Sequence, residues 1–399
     1  MSPRSLERSG HITFIDENVL YVWGGYQGED GEDVVLPGDE IWLLDLYSGT
    51  WQQRELTGDV PSDLTGFCGS FLNGTLYIFA GCDSSGYTNH MFTVDLRSEC
   101  YVWIRITNTS GKTPSPRKNH SSWVHQDRII YFGGYGCKTM REVQNGDSSN
   151  FTVEDMSWTT IEGTLYRCWG WNNEVYIFDT LTSTWILPQT KGLAPVPRSC
   201  HAAAILENKG YISGGVQTAQ LQLYCLDLLT WTWTRLVNSG CSVPMGRTMH
   251  SMIATLDGTL FVYGGSGTYT SVLNDAWQYN LYTKEWTQMD HQHKDKPRVS
   301  HTSCLGNDSD IIVFGGCRSS ILKTDPNTSL RSTKLKLCNR FLSVRLSFFS
   351  FRLCEDCIKR NYAVFEKHLN CLPSKIQNKL EKICAFFSEQ TLKLLLSNE

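Results

Sequence analysis

Short runs of β-branched and aromatic residues, each ending in a pair of small residues, recur along the chain. Each run is four or five residues long, which is typical of a buried strand. The six copies end at Gly25, Gly81, Gly134, Gly215, Gly265 and Gly316. The steps between these glycines are 56, 53, 81, 50 and 51 residues. The chain therefore repeats a unit of about fifty residues, with one long insertion in the third interval.

Turn signals and a tryptophan complete the units. Most of the glycine pairs follow a turn dipeptide such as Asn73-Gly74, which predicts a β-hairpin. A turn residue then precedes a Trp by six positions at Asp45/Trp51, Asp179/Trp185, Asp227/Trp233 and Asn280/Trp286, and by eight at Asp95/Trp103. Four strands per unit, with a large ring in the last one, are typical of a propeller blade.

These repeats resemble the kelch family from Arg8 to about Gly316. The resemblance implies an all-β fold, a six-bladed kelch β-propeller, which we assign to residues 1–322. Because only the third interval is long, we expect the insertion at 138–167 to project from the third blade. The Asp and Trp pair is missing after Gly316, so the basic segment 323–351 is predicted to be irregular and to leave the sixth blade incomplete.

An Arg and a His three residues apart precede the first strand of most units. The pairs are Arg8/His11, Arg117/His120, Arg198/His201, Arg247/His250 and Arg298/His301, with Leu64/Phe67 at the same place in the second unit. Symmetry should gather them around one mouth of the channel. The histidines are more consistent with a structural role, bonding the backbone where each strand begins. The arginines leave a second interpretation open, since several guanidinium groups at a concave mouth would bind a carboxylate-bearing ligand.

Composition and charge argue against nucleic-acid binding, membrane spanning and secretion. The net charge of −4 combines 36 basic and 40 acidic residues, so no positive field is available for nucleic acid. No uncharged apolar stretch approaches the roughly eighteen residues that span a bilayer, so we expect no membrane segment. The first residues lack the apolar run of a secretory signal. We therefore expect a cytoplasmic or nuclear protein whose 15 cysteines remain thiols.

The end of the chain has a different pattern. Residues 352–399 are rich in charge, and apolar residues fall at helical spacing at Ile358, Tyr362, Phe365 and Leu369. This pattern predicts a short C-terminal α-helical tail. The tail has two possible roles, which are to cover the open edge of the last blade or to dock another protein.

Several motifs carry a narrower resemblance. They are Glu7-Arg-Ser-Gly-His11, Val22-Trp-Gly-Gly-Tyr26, Leu36-Pro-Gly-Asp-Glu-Ile-Trp42, Tyr131-Phe-Gly-Gly-Tyr-Gly-Cys137, Gly170-Trp-Asn172, Cys354-x-x-Cys-Ile358 and Leu372-Pro373. Together they are similar to Kelch domain-containing proteins that act as substrate receptors of Cullin-2 RING ubiquitin ligases. In that group the propeller mouth captures the C-terminus of a client protein, and the tail binds the Elongin B/C adaptor and Cullin-2.

The resemblance implies specific residues for these roles. Cys354 and Ile358 would contact Elongin C, and Leu372, Pro373 and Ile376 would contact Cullin-2. The predicted ligand-binding residues at the mouth are Arg117, Trp171, Arg198, Arg247, Thr248 and Arg298.

The chain departs from the family pattern at two of these sites. Ser350 stands where the adaptor box has a leucine. The family's fourth blade carries carboxylate-binding arginines after its glycine pair, whereas Val216–Gln222 contains none. A weaker client site and weaker docking are therefore expected.

Two function classes other than a ligase receptor are a metal enzyme and a kelch scaffold. Some kelch propellers are metal enzymes, but a Glu-x-x-x-Asp-x-x-x-His motif is missing from this sequence, and its repeated histidines occur once per blade. The lone pair Cys354 and Cys357 has no second pair with zinc-site spacing. We therefore predict a non-catalytic protein with no metal and no cofactor. A kelch scaffold without ligase docking stays open as the alternative.

Overall fold

Each repeat folds as a small antiparallel sheet, and six such blades surround one channel. The computed structural model describes residues 6–29, 32–145, 150–215, 218–268, 271–291, 296–306, 310–318 and 342–345. The blades are numbered in the order of the repeats. The end of each blade that carries the glycine pair and the Arg-His element is called the mouth face.

Blades 1 and 2 share one continuous sheet. The first contains β1 (Ile12–Asp16), β2 (Val19–Trp23), a hairpin of β3 (Tyr26–Glu29) and β4 (Glu32–Val35), then β5 (Glu40–Asp45) and β6 (Trp51–Gly58). The second contains β7 (Cys68–Leu72), β8 (Thr75–Asp83), β9 (Gly86–Asp95) and β10 (Tyr101–Ile106). The two outermost strands, β6 and β10, pair in parallel, and this pairing joins the blades into an eight-stranded sheet.

Blade 3 carries the long insertion on its mouth face. Its elements are β11 (Arg117–Lys118), β12 (Ser121–His125), β13 (Arg128–Phe132), β14 (Tyr135–Lys138), α1 (Met140–Asn145), β15 (Phe151–Asp155), β16 (Thr159–Ile161), β17 (Thr164–Tyr166), β18 (Cys168–Asn172), β19 (Val175–Asp179) and β20 (Thr184–Ile186). The blade itself is β12-β13-β19-β20, while β11-β14-β18-β15 forms a separate mouth sheet. Strands β16 and β17 form a hairpin of their own.

Blades 4 and 5 repeat the four-stranded plan. Their elements are β21 (Lys191–Gly192), β22 (Ala202–Leu206), β23 (Lys209–Ser213), β24 (Leu223–Asp227), β25 (Thr232–Leu236), β26 (Arg247–Thr248), β27 (Ser251–Thr255), β28 (Thr259–Tyr263), β29 (Ser266–Gly267), β30 (Ala276–Asn280) and β31 (Glu285–Met289). In each blade the first long strand pairs antiparallel with the second, the second with the third, and the third with the fourth.

Blade 6 combines two strands that precede the basic segment with one strand from within it. It contains β32 (Thr302–Leu305), β33 (Asp310–Phe314) and β34 (Leu342–Arg345) in that order. The segment 323–351 was predicted to be irregular, but it supplies β34 as the third strand of this sheet. The rest of that segment, and the tail predicted at 352–399, lie outside the described residues.

The innermost strands close the propeller. β1, β7, β12, β22, β27 and β32 contact one another in a ring, and β32 returns to β1. Small side chains allow this close approach, and several pair across it, with Ser70 Oγ 2.8 Å from Ser122 Oγ and Ser251 Oγ 2.6 Å from Ser303 Oγ. The ring confirms six blades.

The tryptophans of the outer strands pack between blades. Trp286 lies 5.1 Å from Tyr279 of its own blade. The other four lie against an aromatic ring on the second strand of the preceding blade, with centroid distances of 5.2 Å for Trp103–Trp23, 4.9 Å for Trp185–Phe79, 5.2 Å for Trp233–Phe132 and 5.6 Å for Trp51–Phe314. The last contact links blade 1 to blade 6. These rings fill the core between neighbouring sheets.

The turn residue of each Asp-Trp pair explains the fixed spacing. Asp45 Oδ1 accepts hydrogen bonds from the backbone N–H groups of Tyr47 and Ser48, at 3.0 and 2.7 Å. Asp227 and Asn280 accept equivalent bonds from the residues two and three positions later. Such side-chain turns reverse the chain so that the Trp enters the fourth strand in register.

Truncation of an interblade ring should destabilise the propeller. Trp103 is 1% exposed, and its indole N–H donates to the Gly38 carbonyl at 3.1 Å. Trp103→Ala should lower the free energy of unfolding by about 3–5 kcal/mol, because a large cavity replaces the ring. Its neighbour Ile104 is 58% exposed, so Ile104→Ala is the matched control and should change the urea midpoint little. Equal shifts for both variants would contradict this packing.

Candidate functional site

The arginines of the Arg-His elements are buried inside the blades. Each is at most 1% exposed, and its guanidinium Nη1 donates to the carbonyl of the first residue in its own blade's glycine pair. These distances are 3.2 Å for Arg8–Gly24, 3.2 Å for Arg117–Gly133, 2.6 Å for Arg198–Gly214, 2.9 Å for Arg247–Gly264 and 2.9 Å for Arg298–Gly315. The arginines therefore tie the first strand of a blade to the end of its second strand.

Carboxylates and rings complete the surroundings of these arginines. Arg247 donates to both oxygens of Asp275, at 2.7 and 2.8 Å. Arg117 donates to Glu174 at 2.9 Å; burial opposes ionisation of that carboxyl, yet Arg117 and Lys138 hold its pKa below the ordinary value. Arg198 lies 5.1 Å from the ring centroid of Tyr224.

Four of the predicted ligand-binding residues thus lie inside the blades rather than on the mouth surface. The guanidinium groups of Arg117, Arg198, Arg247 and Arg298 already donate to protein oxygens, and a ligand carboxylate would have to displace those bonds. Sequence symmetry placed these residues at the correct end of the blades. The direction of their side chains depends on acceptors elsewhere in the chain.

The histidines bond across blades. His201 Nε2 lies 2.7 Å from Ser121 Oγ of the preceding blade, and His250, His301 and His11 pair in the same way with Ser213, Ser251 and Thr302 at 2.8, 2.9 and 2.9 Å. This agrees with the structural role favoured by the sequence; the Nε2 partners are hydroxyls of the preceding blade, and His201 and His301 also have backbone hydrogen bonds, with Phe132 and with Tyr263 and Arg298 respectively. Burial, followed by the neighbouring arginine, lowers the pKa of His201 and of His301 to about 3.

The glycine pair is required by these contacts. Gly214 and Gly215 have φ of 64° and 81°, a region that favours glycine. A Cβ on Gly214 would lie 2.2 Å from the Arg247 carbonyl oxygen of the next blade, and one on Gly215 would lie 2.6 Å from His201 Cβ. Each pair is therefore the point where two Arg-His elements approach one backbone.

A ring of left-handed residues forms the floor of the mouth. One residue between each Arg and His, or its equivalent, has positive φ, namely Gly10, Gly66, Asn119, Cys200, Met249 and Ser300. Backbone N–H groups donate from Gly10 to Ser300, Ser300 to Met249, Met249 to Cys200, Cys200 to Asn119 and Asn119 to Gly66, at 3.0, 3.0, 2.8, 2.9 and 2.7 Å. This chain of bonds links neighbouring blades and is named the mouth ring.

A cluster of half-exposed aromatic side chains lies on the mouth face of blades 2 and 3. Ring centroids are 4.9 Å apart for Tyr87 and Trp169, 5.3 Å for Tyr135 and Trp171, and 6.3 Å for Tyr87 and Tyr135. The ammonium of Lys118 lies 5.1 Å from the Tyr87 centroid, in reach of a cation–π contact. We call these five residues the aromatic–lysine cluster.

Strand pairing assembles this cluster. Tyr135 directly follows the glycine pair of blade 3 and lies opposite Trp171 in the register of β14 and β18. Trp169 lies two residues before Trp171 on β18, so both rings leave the same side of the strand. Sequence reasoning found Trp171 but missed Tyr87, Lys118, Tyr135 and Trp169. The spacing of the two tryptophans was the signal that could have identified the face.

Thr248 occupies the position in blade 5 that Lys118 occupies in blade 3. Both directly follow the buried arginine, both are half-exposed, and each pairs in a short strand on the mouth face, with Ser266 and Tyr135 respectively. Each of these two residues therefore presents a partly exposed polar side chain on backbone that the preceding buried arginine holds in place.

The remaining sequence predictions concern the docking residues, metal binding and membrane segments. Cys354, Ile358, Leu372, Pro373 and Ile376 lie outside the described residues. Across the described ranges, no group of three or more His, Cys, Asp or Glu side chains is arranged to hold a metal ion. Nor does that part of the chain contain a helix long and apolar enough to cross a membrane.

Comparison with known proteins decides the family. Residues 2–167 and 166–316 match the family described as the KLHDC2/KLHL20/DRC7 Kelch-repeats domain. The chain belongs to this kelch-repeat family. Both kelch resemblances inferred from the sequence are thereby confirmed, the narrower one by the relatives described next.

Known proteins resemble this chain over most of its length. Kelch domain-containing protein 1 of Homo sapiens is 41% identical over 388 residues, which cover 96% of this chain and 91% of the relative. Kelch domain-containing protein 2 of Bos taurus is 36% identical over 79% of this chain and 77% of the relative. The solved structure of YjhT covers 79% of this chain and 92% of its own, with a TM-score of 0.53 and 14% identity, and supports the fold alone. This kelch chain is therefore a protein-interaction propeller.

The buried histidines should make the kelch propeller sensitive to mild acid. Their folded-state pKa lies below the ordinary 6.5, so below pH 6.5 the unfolded chain binds protons that the folded chain does not. Stability is fully present above pH 6.5 and is lost as pH falls toward 3, by up to about 1.4 kcal/mol per pH unit for each histidine. Urea unfolding between pH 7.5 and 5 measures this slope.

His201→Asn removes one titrating ring and keeps a hydrogen-bonding group. The variant should be less stable at pH 7.5 but lose less stability per pH unit below 6.5. An unchanged slope would show that His201 does not contribute to acid sensitivity.

Proposed function

We propose that this chain is the substrate-recognition subunit of a Cullin-2 RING E3 ubiquitin ligase, with the propeller mouth binding the C-termini of client proteins. The observation that supports this most is the aromatic–lysine cluster, because half-exposed rings beside a cation are suited to a peptide end. The 41% identity to Kelch domain-containing protein 1 is consistent with it.

The mouth offers separate contacts for the two parts of a peptide end. Tyr135 and Trp171 present ring faces and edges to side chains of the last residues. Lys118 provides an ammonium for the terminal carboxylate, and Thr248 provides a hydroxyl at the equivalent position two blades away. A hydrogen bond to a charged group contributes about 1.5–3 kcal/mol, so one such contact changes affinity by roughly tenfold or more.

The buried arginines hold the backbone that carries the proposed client contacts. Because Arg117 precedes Lys118 and Arg247 precedes Thr248, their bonds to glycine carbonyls fix the backbone that carries both side chains. We therefore assign Arg117, Arg198, Arg247 and Arg298 to positioning, and Lys118, Thr248 and Trp171 to contact with the client.

The tail would provide the link to the ligase. Cys354 and Ile358 are four residues apart, the spacing with which one face of a helix enters a groove on a partner such as Elongin C. Leu372, Pro373 and Ile376 would meet Cullin-2. The match to Kelch domain-containing protein 1 covers 96% of the chain and so extends past Gly316 into this tail. A kelch scaffold that lacks ligase docking is the alternative.

The client site is tested by peptide binding. A pool of peptides with randomised C-terminal residues and a free carboxylate should bind the full chain, and the same pool amidated should bind at least tenfold more weakly. Lys118→Met should reduce binding of the free-acid pool to a similar extent, because the cation is lost. Lys209→Met, an exposed lysine at the opposite end of blade 4, is the control. Equal affinity for acid and amide would contradict a carboxylate pocket.

Adaptor docking is tested by co-purification with Elongin B/C. Cys354→Asp combined with Ile358→Asp should abolish capture, because two charges replace the apolar residues of the docking face. Arg360→Asp, on the other side of a helix with this spacing, is the matched control and should keep capture. Unchanged thermal unfolding would confirm an intact propeller. Capture of the double variant would contradict docking through Cys354 and Ile358, and failure of the native chain to capture Elongin B/C would favour the scaffold alternative.

A further inference from the structure

The insertion of blade 3 reaches across to blade 2. After β15 the chain passes Met156 and Trp158 into the β16–β17 hairpin, whose tip is Glu162-Gly163, and β16 packs near β9 of blade 2. We call residues 156–166 the strap. It lies on the mouth face, next to the aromatic–lysine cluster, because the Trp169 indole N–H donates to the Ser157 carbonyl at 3.1 Å.

Two hydrogen bonds anchor the tip of the strap. Glu162 Oε1 accepts from His90 Nε2 at 2.8 Å and from Arg105 Nη2 at 3.0 Å. His90 lies on β9 and Arg105 on β10, so both donors belong to blade 2. Hydrogen bonds from His90 and then Arg105 lower the pKa of Glu162, in agreement with an ionised carboxylate. The strap is thus held at its tip by blade 2 and at its start by Trp169.

The anchored strap exposes large apolar side chains. Trp158 is 71% exposed, Met156 58% and Leu165 51%. Leu165 pairs with Thr160 in the hairpin, and Met156 and Trp158 lie in the segment that leads into it. An exposed Trp on a fixed backbone is typical of an interaction surface, because Trp contributes large contact area with little loss of entropy.

The chain that leads into the strap is acidic, while the basic neighbours are Arg105, which is paired with Glu162, and Arg167, which follows the strap. Residues 150–166 contain Glu154, Asp155 and Glu162 but no Lys or Arg. Glu154 and Asp155 are exposed on β15, which leads directly into the strap. A partner segment that covers Trp158 and Leu165 would therefore carry apolar residues together with basic ones.

We infer that the strap is a second docking surface for the client, and that it binds the apolar and basic segment just before the C-terminal end held at the mouth. The inference rests on the proposed client site, because the strap adjoins the aromatic–lysine cluster through the Trp169–Ser157 bond. The strap then determines which clients are selected, while the mouth recognises the carboxylate.

Two peptide pools test this role on the full chain. Both end in the same randomised residues with a free carboxylate, and they differ upstream, where one alternates Leu and Lys and the other alternates Ser and Glu. The native chain should bind the Leu/Lys pool at least fivefold more tightly. Trp158→Ser should remove most of that preference without weakening the Ser/Glu pool. Tyr282→Ser, an aromatic residue that is 80% exposed in the turn between β30 and β31, is the matched control.

The outcomes separate the strap from the mouth. Equal affinity for the two pools, or a preference that survives Trp158→Ser, would overturn the strap inference while leaving the carboxylate site intact. Amidation of the Leu/Lys pool without loss of affinity would overturn the carboxylate site, whereas continued sensitivity to Trp158→Ser would still support the strap. No binding of either pool would overturn both.

Discussion

The mouth ring is the constraint on which the rest of the propeller depends. Each blade contributes one left-handed residue, and in five of the six blades its N–H donates to the equivalent residue of the preceding blade. Four of the six are not glycine, so the conformation costs of order 1 kcal/mol or more at each of them. The bonds around the ring and the buried Arg-His elements offset this cost. The spacing of the inner strands, and with it the width of the mouth, follows from this ring.

Buried charge is tolerated here because each buried arginine donates hydrogen bonds to oxygens of its own blade. Burial lowers the pKa of Arg8 and Arg198 to about 10, which measures the cost of removing these cations from water. Carbonyl oxygens of the glycine pairs, and acids such as Asp275, take the place of water as acceptors. Removing one partner of such a pair costs far more than the pair contributes, because the other partner is left buried without its counter-charge.

The repeats alone predicted the blades, because glycine pairs and Asp-Trp spacing reflect local turns and interblade packing. The orientation of the arginine side chains, which point into the blades, could not be predicted in the same way. Asp275 lies 28 residues after Arg247, and Glu174 lies 57 residues after Arg117, so each acceptor is chosen by sheet pairing. The aromatic–lysine cluster was missed for the same reason, since β14 and β18 meet only after the long insertion has folded back. Strand β34 was missed because its segment lacks the Asp-Trp signal.

The parallel pairing of β6 with β10 has a consequence for how the propeller opens. Elsewhere in the described chain neighbouring blades share backbone hydrogen bonds at the mouth ring, whereas blades 1 and 2 share a ladder between their outermost strands. Separating them requires breaking a sheet ladder as well as exposing apolar surface. Blades 1 and 2 should therefore behave as one cooperative foldon in hydrogen exchange, the slowest part of the molecule to open.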